Sequence, residues 1–525
     1  MPNRLFFDRQ DYQLLHMINE TIEHGASADM EHQVFDANLH PHGILELTTT
    51  HEFRIAHAVV NLLGNLRTGK VEDRLVALRT LRDEVLHSAR TSFRYNTGRV
   101  LIQIMKEIVR ARGDEHAQLR LVRDFRRAAS GNPRLVRLFL RRHHLLEMPE
   151  EWNQLTMDHH IHDANTKGRK NPTHLMMDAW VKGIRYLTVV YYNYVEPAAA
   201  RELLEAASIM GLSVRIGLEF RAPFRGRFIS FVWAPRGFSD YQTFLAFLDE
   251  QPMQELMQEG RKVSAWIRRH VFATLNAWNV RHRPALAEEL GLELPELEED
   301  AFMGFVNTGR PSFVHLAEFI HASLLPLLRA RVHELRAEAA AIASGDHAGR
   351  ASHANPANRA DGGEQGEEGS PNGADGAVGA DRVARINELI RRMDALTPEV
   401  IMDTWLKPAR NPDLPSPNVP DPSPETPKLL RLPPQVLMEW LANVRSGYRI
   451  TLQLADLTPE DVMELLWDCE GRITHLEMFN LKEWQDNRLR NLEAINALQI
   501  ALNEGSSLHL KHMLRTMTRS LGEGE

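Results

Sequence analysis

The sequence predicts an α/β protein whose first part is all-helical. Two patterns carry that reading: apolar residues recur at helical spacing up to about residue 150, and beyond 155 short β-branched and aromatic runs alternate with helical ones. In the first part Ile55, Val59, Leu62, Leu63 and Leu66 share one face, with charged residues between them. Val100 to Val109 and Leu119 to Phe125 continue the pattern, and Gly113-Asp114 and Gly131-Asn132-Pro133 break it. Residues 1–150 are therefore expected to form an all-helical domain. The basic run from Arg137 to His144 fits a solvated helix face better than a nucleic-acid contact.

In the second part Tyr186 to Tyr192 reads as a buried strand, Pro197 to Met210 as a helix and Val214 to Glu219 as the next strand. Strand, helix, strand implies a parallel sheet or barrel. Trp180, Tyr191 and Trp233 belong to its core. The pattern pauses where Gly, Ala, Asn, Asp and Glu dominate, so 338–384 is expected to be a disordered low-complexity insertion. A proline-rich stretch follows from Pro408 to Pro434. Order resumes with a strand at Tyr448 to Leu454, a helix at Pro459 to Cys469 and a strand at Ile473 to Phe479. Residues 151–337 and 385–525 thus read as two parts of one interrupted barrel, or as two separate domains.

Composition narrows the class. The 525 residues are 43% hydrophobic and 25% charged, with a formal net charge of -8. Such a chain carries no overall basic field, so nucleic acid is not the favoured partner. The single cysteine, Cys469, rules out an intramolecular disulfide and a Cys-rich zinc site, and points to a reducing compartment, the cytoplasm. It falls on an apolar helical face and reads as packing. No run of about 18 apolar residues stands out, so no membrane partner is expected.

The sharpest local signal is Asp158-His159-His160-Ile161-His162. On a strand, residues two apart share a face, so Asp158, His160 and His162 would converge on a divalent metal, and imidazole with carboxylate suits Zn, Mn or Fe. His174 and His315 lie in helices with an apolar face and read as structural.

These residues, the helix ending at Gly183, the helix through Leu203 to Ala207, and the strand Val214 to Glu219 together resemble the PHP (polymerase and histidinol phosphatase) family. Gly309-Arg310-Pro311 and Ile473 to Phe479 are similar to two further segments of that family, and the resemblance spans roughly 156–500. It implies a distorted (β/α) barrel and a metal-dependent phosphoesterase acting on a small phosphorylated substrate or a nucleotide end. It implies metal ligands at His160, His162 and Glu219, to which the strand spacing adds Asp158; where the family carries a metal-binding histidine before proline this chain reads Leu452 to Asp456, which leaves Asp456 as the candidate ligand there. Lys167, Arg169, Lys170, Arg221 and Arg225 are the candidate phosphate-binding cations. Where the family has Thr-Asp-His, this chain reads Val190-Tyr191-Tyr192-Asn193, and the closing Asp-x-His motif has no counterpart. The expectation is an incomplete barrel or an eroded site. The alternative is a catalytically inactive PHP-like scaffold whose helical N-terminal domain binds a protein partner.

Overall fold

The computed structural model describes residues 7–24, 50–87, 93–150, 156–306, 309–351, 372–414, 416–489 and 491–522. The chain divides into two compact units, residues 1–263 with 420–525, and 264–419. The contacts therefore divide at 263 and 419, not near 150.

The first unit opens with helices α1 (Arg9–His24), α2 (His51–Thr68), α3 (Val71–Arg82), α4 (Arg94–Arg110), α5 (Glu115–Ala129) and α6 (Pro133–Arg142). The α/β part follows as β1 (Thr156–Ile161), α7 (Pro172–Lys182), β2 (Ile184–Tyr192), α8 (Pro197–Met210), β3 (Ser213–Phe224) and β4 (Arg227–Pro235). Local chemistry sets these bounds. Asn171 caps α7 by accepting from the His174 amide, Pro172 occupies its first turn, and Gly183 ends it in the left-handed region at φ 80°. Pro197 starts α8 in the same way.

The helical region is built into this unit. Helix α4 packs on α7, and α3 packs on α7 and α8. Arg99 of α4, wholly buried, donates from Nε to the Val181 carbonyl at 2.8 Å and from Nη1 to the Leu146 carbonyl at 2.8 Å. In the basic run, Arg137 pairs with Glu147 and Arg142 with Asp124, as a solvated face would.

After helices α9 (Tyr241–Leu248) and α10 (Gln251–Ala277), the second unit contains α11 (Arg283–Leu290), α12 (Glu299–Val306), α13 (Phe313–Ala351) and α14 (Asn372–Asp394). Helix thus enters the segment 338–384 from both sides, and 352–371 lie outside the described residues. Phe313–Ala340 is long and apolar enough to cross a membrane by length and composition, although its apolar residues form no uniform run. Its Leu316, Ile320, Leu324, Leu328, Val332 and Leu335 recur at helical spacing and are buried in this unit's own core.

The first unit resumes with α15 (Lys428–Arg431), α16 (Pro434–Val444), β5 (Tyr448–Gln453), α17 (Pro459–Asp468) and β6 (His475–Glu477). A capping box between Thr458 and Asp461, with Pro459 at the first helical position, fixes the start of α17. Cys469 follows this helix fully buried, and burial pushes its thiol up to about 11.

The sheet is mixed and runs in sequence order from β1 to β6. β1, β2 and β3 are parallel, β4 is antiparallel to both neighbours, and β5 and β6 are parallel. The C-terminal ends of every strand except β4 therefore point the same way. His160, at the β1 edge, lies 2.8 Å from Glu477 at the β6 edge, so the sheet curls until its two edges approach. Ile216, Leu218, Phe220 and Ala222 alternate along β3 into the core. Gly217, Glu219 and Arg221 take the other face.

Candidate metal site

The site stands at the C-terminal ends of β1, β5 and β6, beside Glu219, which lies midway along β3 at the level where β2 ends. Asp158 pairs with Leu187 and Ile161 with Val189, so three steps along β1 match two along β2. This irregularity breaks the strict alternation that would have turned Asp158, His160 and His162 together. Asp158 bends back and accepts from the His160 amide at 3.1 Å. It is outside the cluster that does converge: one donor atom each from His160, His162 and Glu219, all within 4.8 Å of one another.

The hydrogen bonds set which atoms these are. The Val190 carbonyl, 2.8 Å from His162 Nδ1, can only accept, so Nδ1 carries the proton. His162 Nε2 is then the lone-pair nitrogen, and it is buried with no hydrogen-bond partner. His160 Nδ1 meets Glu477 at 2.8 Å, which turns its Nε2 toward Glu219, 3.6 Å away. An imidazole oriented by a carbonyl or carboxylate through one nitrogen, with the other facing a carboxylate, is the usual support of a metal-binding histidine. The residues therefore fit a divalent cation, and Glu477 Oε2 and Gln453 Nε2, also buried without partners, add unspent polar atoms beside it.

The charges agree. Burial opposes a positive His160, but the Glu219 and Glu477 carboxylates outweigh it and push its pKa up to about 9. Burial also opposes a charged Glu219, yet His160, Lys167 and His162 hold it down to about 2. Burial and then the Lys167 charge push His162 down to about 3, so its ring is neutral.

The remaining candidates separate clearly. Lys167 shares a cavity of about 210 Å³ with His160, Glu219 and Gln453, its ammonium 5.4 Å from the Tyr192 ring. Arg221 lies one same-face step beyond Glu219, 5.0 Å from the Phe228 ring. Burial lowers its pKa, opposed by the charge on Glu219. Lys170 is drawn away by Asp178, which also holds Lys106 and stands 3.7 Å from His174. Arg225 is in the turn between β3 and β4 and pairs with Asp461 and Glu464. Asp456 receives Arg488 at 2.7 Å, which closes a loop and leaves it outside the convergent cluster. Arg169 is exposed and lines neither cavity at the site. Tyr192 covers the His162 ring at 5.1 Å, standing where the PHP resemblance would place further ligands. Asn193 packs against Gly260, where a Cβ would come within 2.3 Å of its carbonyl oxygen.

No family model matches the chain, and no curated protein matches it. Two solved structures are similar to it at 12% identity and a TM-score of 0.32. One is a proposed metal-dependent phosphoesterase from Bifidobacterium adolescentis, matched over 64% of this chain and 82% of that one. The other is an amidohydrolase from Chromobacterium violaceum with bound sulfate and no metal, matched over 63% and 81%. Similarity at that level identifies no family.

Sequence reasoning missed two residues at this site. Glu477 was inside an expected strand but had no role, and its signal was a carboxylate at a strand's C-terminal end. Gln453 was passed over in favour of Asp456. Because Glu477 orients His160, Glu477→Gln should weaken zinc binding about 10- to 100-fold while leaving the saturating stoichiometry intact. Competition against a chromophoric chelator measures this, and unchanged affinity would remove Glu477 from the site.

Proposed function

We propose that the protein is a metal-dependent phosphoesterase of reduced PHP type, holding one divalent cation through His160, His162 and Glu219. The observation that carries this reading is the convergence of two imidazoles and a carboxylate around a buried, unpartnered His162 Nε2. A divalent cation there would lower the pKa of a water and neutralise phosphoryl oxygens. The chain's own residues do the rest. Val190 and Glu477 fix the two rings, and Lys167 and Arg221 put positive charge beside Glu219 where an anionic phosphate would enter. Tyr192 and Asn193, standing in place of the family's Thr-Asp-His, leave fewer ligands than a multi-metal centre needs, so turnover of simple esters is slow. We read the fold as an opened PHP-like barrel, its curled sheet ending at the seam between β1 and β6.

The test is release of p-nitrophenol from its phosphate mono- and diesters by the full chain, with zinc, manganese or iron supplied singly. Slow hydrolysis that a chelator stops and one of these metals restores is the expected result. Hydrolysis indifferent to chelator, or none with any metal, would leave the inactive-scaffold reading in its place.

A further inference from the structure

A second cavity, of about 430 Å³, opens from the other side of His160 and Glu477. That is within the range small ligands fill. Its floor follows the sheet register. Tyr192, Glu219, Val232, Thr451 and His475 form one row across five strands, each paired with the next. Same-face neighbours toward the opposite end of the strands are Thr188, Arg215, Ala234 and Arg449. Four residues separate Arg215 from Glu219, roughly 13 Å along the strand. The floor is kept low by Gly217, where a Cβ would come within 2.9 Å of Val232 and 3.2 Å of Thr188, both of which line the cavity.

The far end is cationic, and the carboxylates that line the same cavity, Asp158 and Glu477, do not pair with its arginine. Arg449 lines the cavity beside His159, Thr188 and Thr451, and its side chain donates from Nε to Thr451 Oγ1 at 3.2 Å. Among the described residues no carboxylate lies within ion-pair distance of Arg449, Arg215 or Arg236, whereas Arg74, Arg126, Arg137, Arg225 and Arg227 each meet one. Burial, and then the charges of Arg215 and Arg236, push Arg449 below its ordinary pKa against the opposing charge of Glu477, and Arg236 acts on Arg215 in the same sense as on Arg449. His159 is lowered by burial and then by Arg449 and Arg215. Arg449 lines the cavity and Arg215 and Arg236 act on it from beyond the lining, and like charges that no carboxylate pairs directly are relieved by a bound anion.

We propose that the Arg449 end of this cavity is an anion subsite, so that the substrate is a small phosphate ester carrying a second anionic group, carboxylate or phosphate. The reacting phosphate sits toward His160 and Glu219, and the second group is held by the Arg449 fork with Arg215 and Arg236 around it. The substrate class rests on the phosphoesterase reading. The anion subsite itself does not, and the experiment separates the two.

Calorimetric titrations on the full chain have two arms. In the first, with metal stripped by chelator, inorganic phosphate should bind, and Arg449→Gln should weaken it at least about ten-fold, Arg215→Gln by less, and Arg449→Lys only in part. Arg215 is exposed, so its variant keeps the arm informative even if Arg449→Gln fails to fold. In the second, with zinc or manganese present, at least one straight-chain alkanediol bisphosphate of three to six carbons should bind about ten-fold tighter than the matching monophosphate. That preference should vanish in Arg449→Gln. Phosphate affinity unchanged in both glutamine variants would overturn the subsite. Lack of any bisphosphate preference with the first arm intact would overturn the substrate class. Failure of the chain to bind metal, with the first arm intact, would sink the phosphoesterase reading and leave the subsite standing.

Discussion

Replacing His162 by alanine should remove stoichiometric metal and lower metal-dependent ester hydrolysis by at least about a thousand-fold. His162 Nε2 is the one imidazole nitrogen of the site with no competing partner, whereas His160 and Glu219 face each other and can satisfy one another without a cation. Two remaining ligands that already pair hold a cation poorly. The fold should survive, because the substitution gives up only the Nδ1 contacts to the Val190 carbonyl and the Thr166 hydroxyl, a loss of about 1–3 kcal/mol. His315→Ala is the control: its Nδ1 bonds the Arg310 carbonyl at 2.9 Å, in the other compact unit, and metal content should not change. Elemental analysis after exhaustive dialysis decides the matter, and full metal in the His162 variant would eliminate the assignment.

Gly168→Val should cost roughly 3 kcal/mol or more and should also cost the metal. A Cβ at Gly168 would come within 2.3 Å of the His162 carbonyl oxygen and 2.7 Å of the Asp163 carbonyl carbon. These are backbone atoms and cannot swing aside. The loop is tied tightly there. Gly168 donates to the Asp163 carbonyl at 2.9 Å, Asn165 donates to the Asp163 carboxylate, and the Tyr191 hydroxyl reaches the same carboxylate at 2.5 Å. Asp163 is wholly buried, so a displaced loop would strand it as well as His162. Thermal unfolding of the first unit should fall by several degrees, together with loss of bound zinc. A variant that melts and binds metal like the parent would show that the loop is softer than its hydrogen bonds imply.

The readable parts of the sequence were those governed by local chemistry. Pro197 and Gly211 frame α8 where the apolar spacing placed it, and the β-branched run at Leu187 to Val190 forms β2 because it is buried. His160, His162 and Glu219, which do converge, were legible because the His-x-His spacing and a carboxylate on a strand are local patterns. β4 was missed because its entry turn is Arg225-Gly226, with φ of 47° and 75°. That is a two-residue hairpin geometry usually announced by Asn-Gly or Asp-Gly. With β4 unseen, Arg225 read as a phosphate-binding cation, when one of its partners is Asp461, more than 230 residues away. Asp456 failed for the same reason, since Arg488, which occupies it, is adjacent only in space. Asp158 failed through the irregular pairing of β1, which periodicity cannot show. The low-complexity segment reads from composition alone, and composition does not register how far α13 and α14 extend into it.

The central claim is a single metal held by His160, His162 and Glu219, and equilibrium metal stoichiometry of the purified full chain tests it most directly. Native mass spectrometry after loading with zinc or manganese and removal of excess should give one ion per chain, absent from the His162→Ala variant. No retained ion, or two or three ions of comparable affinity, would contradict it.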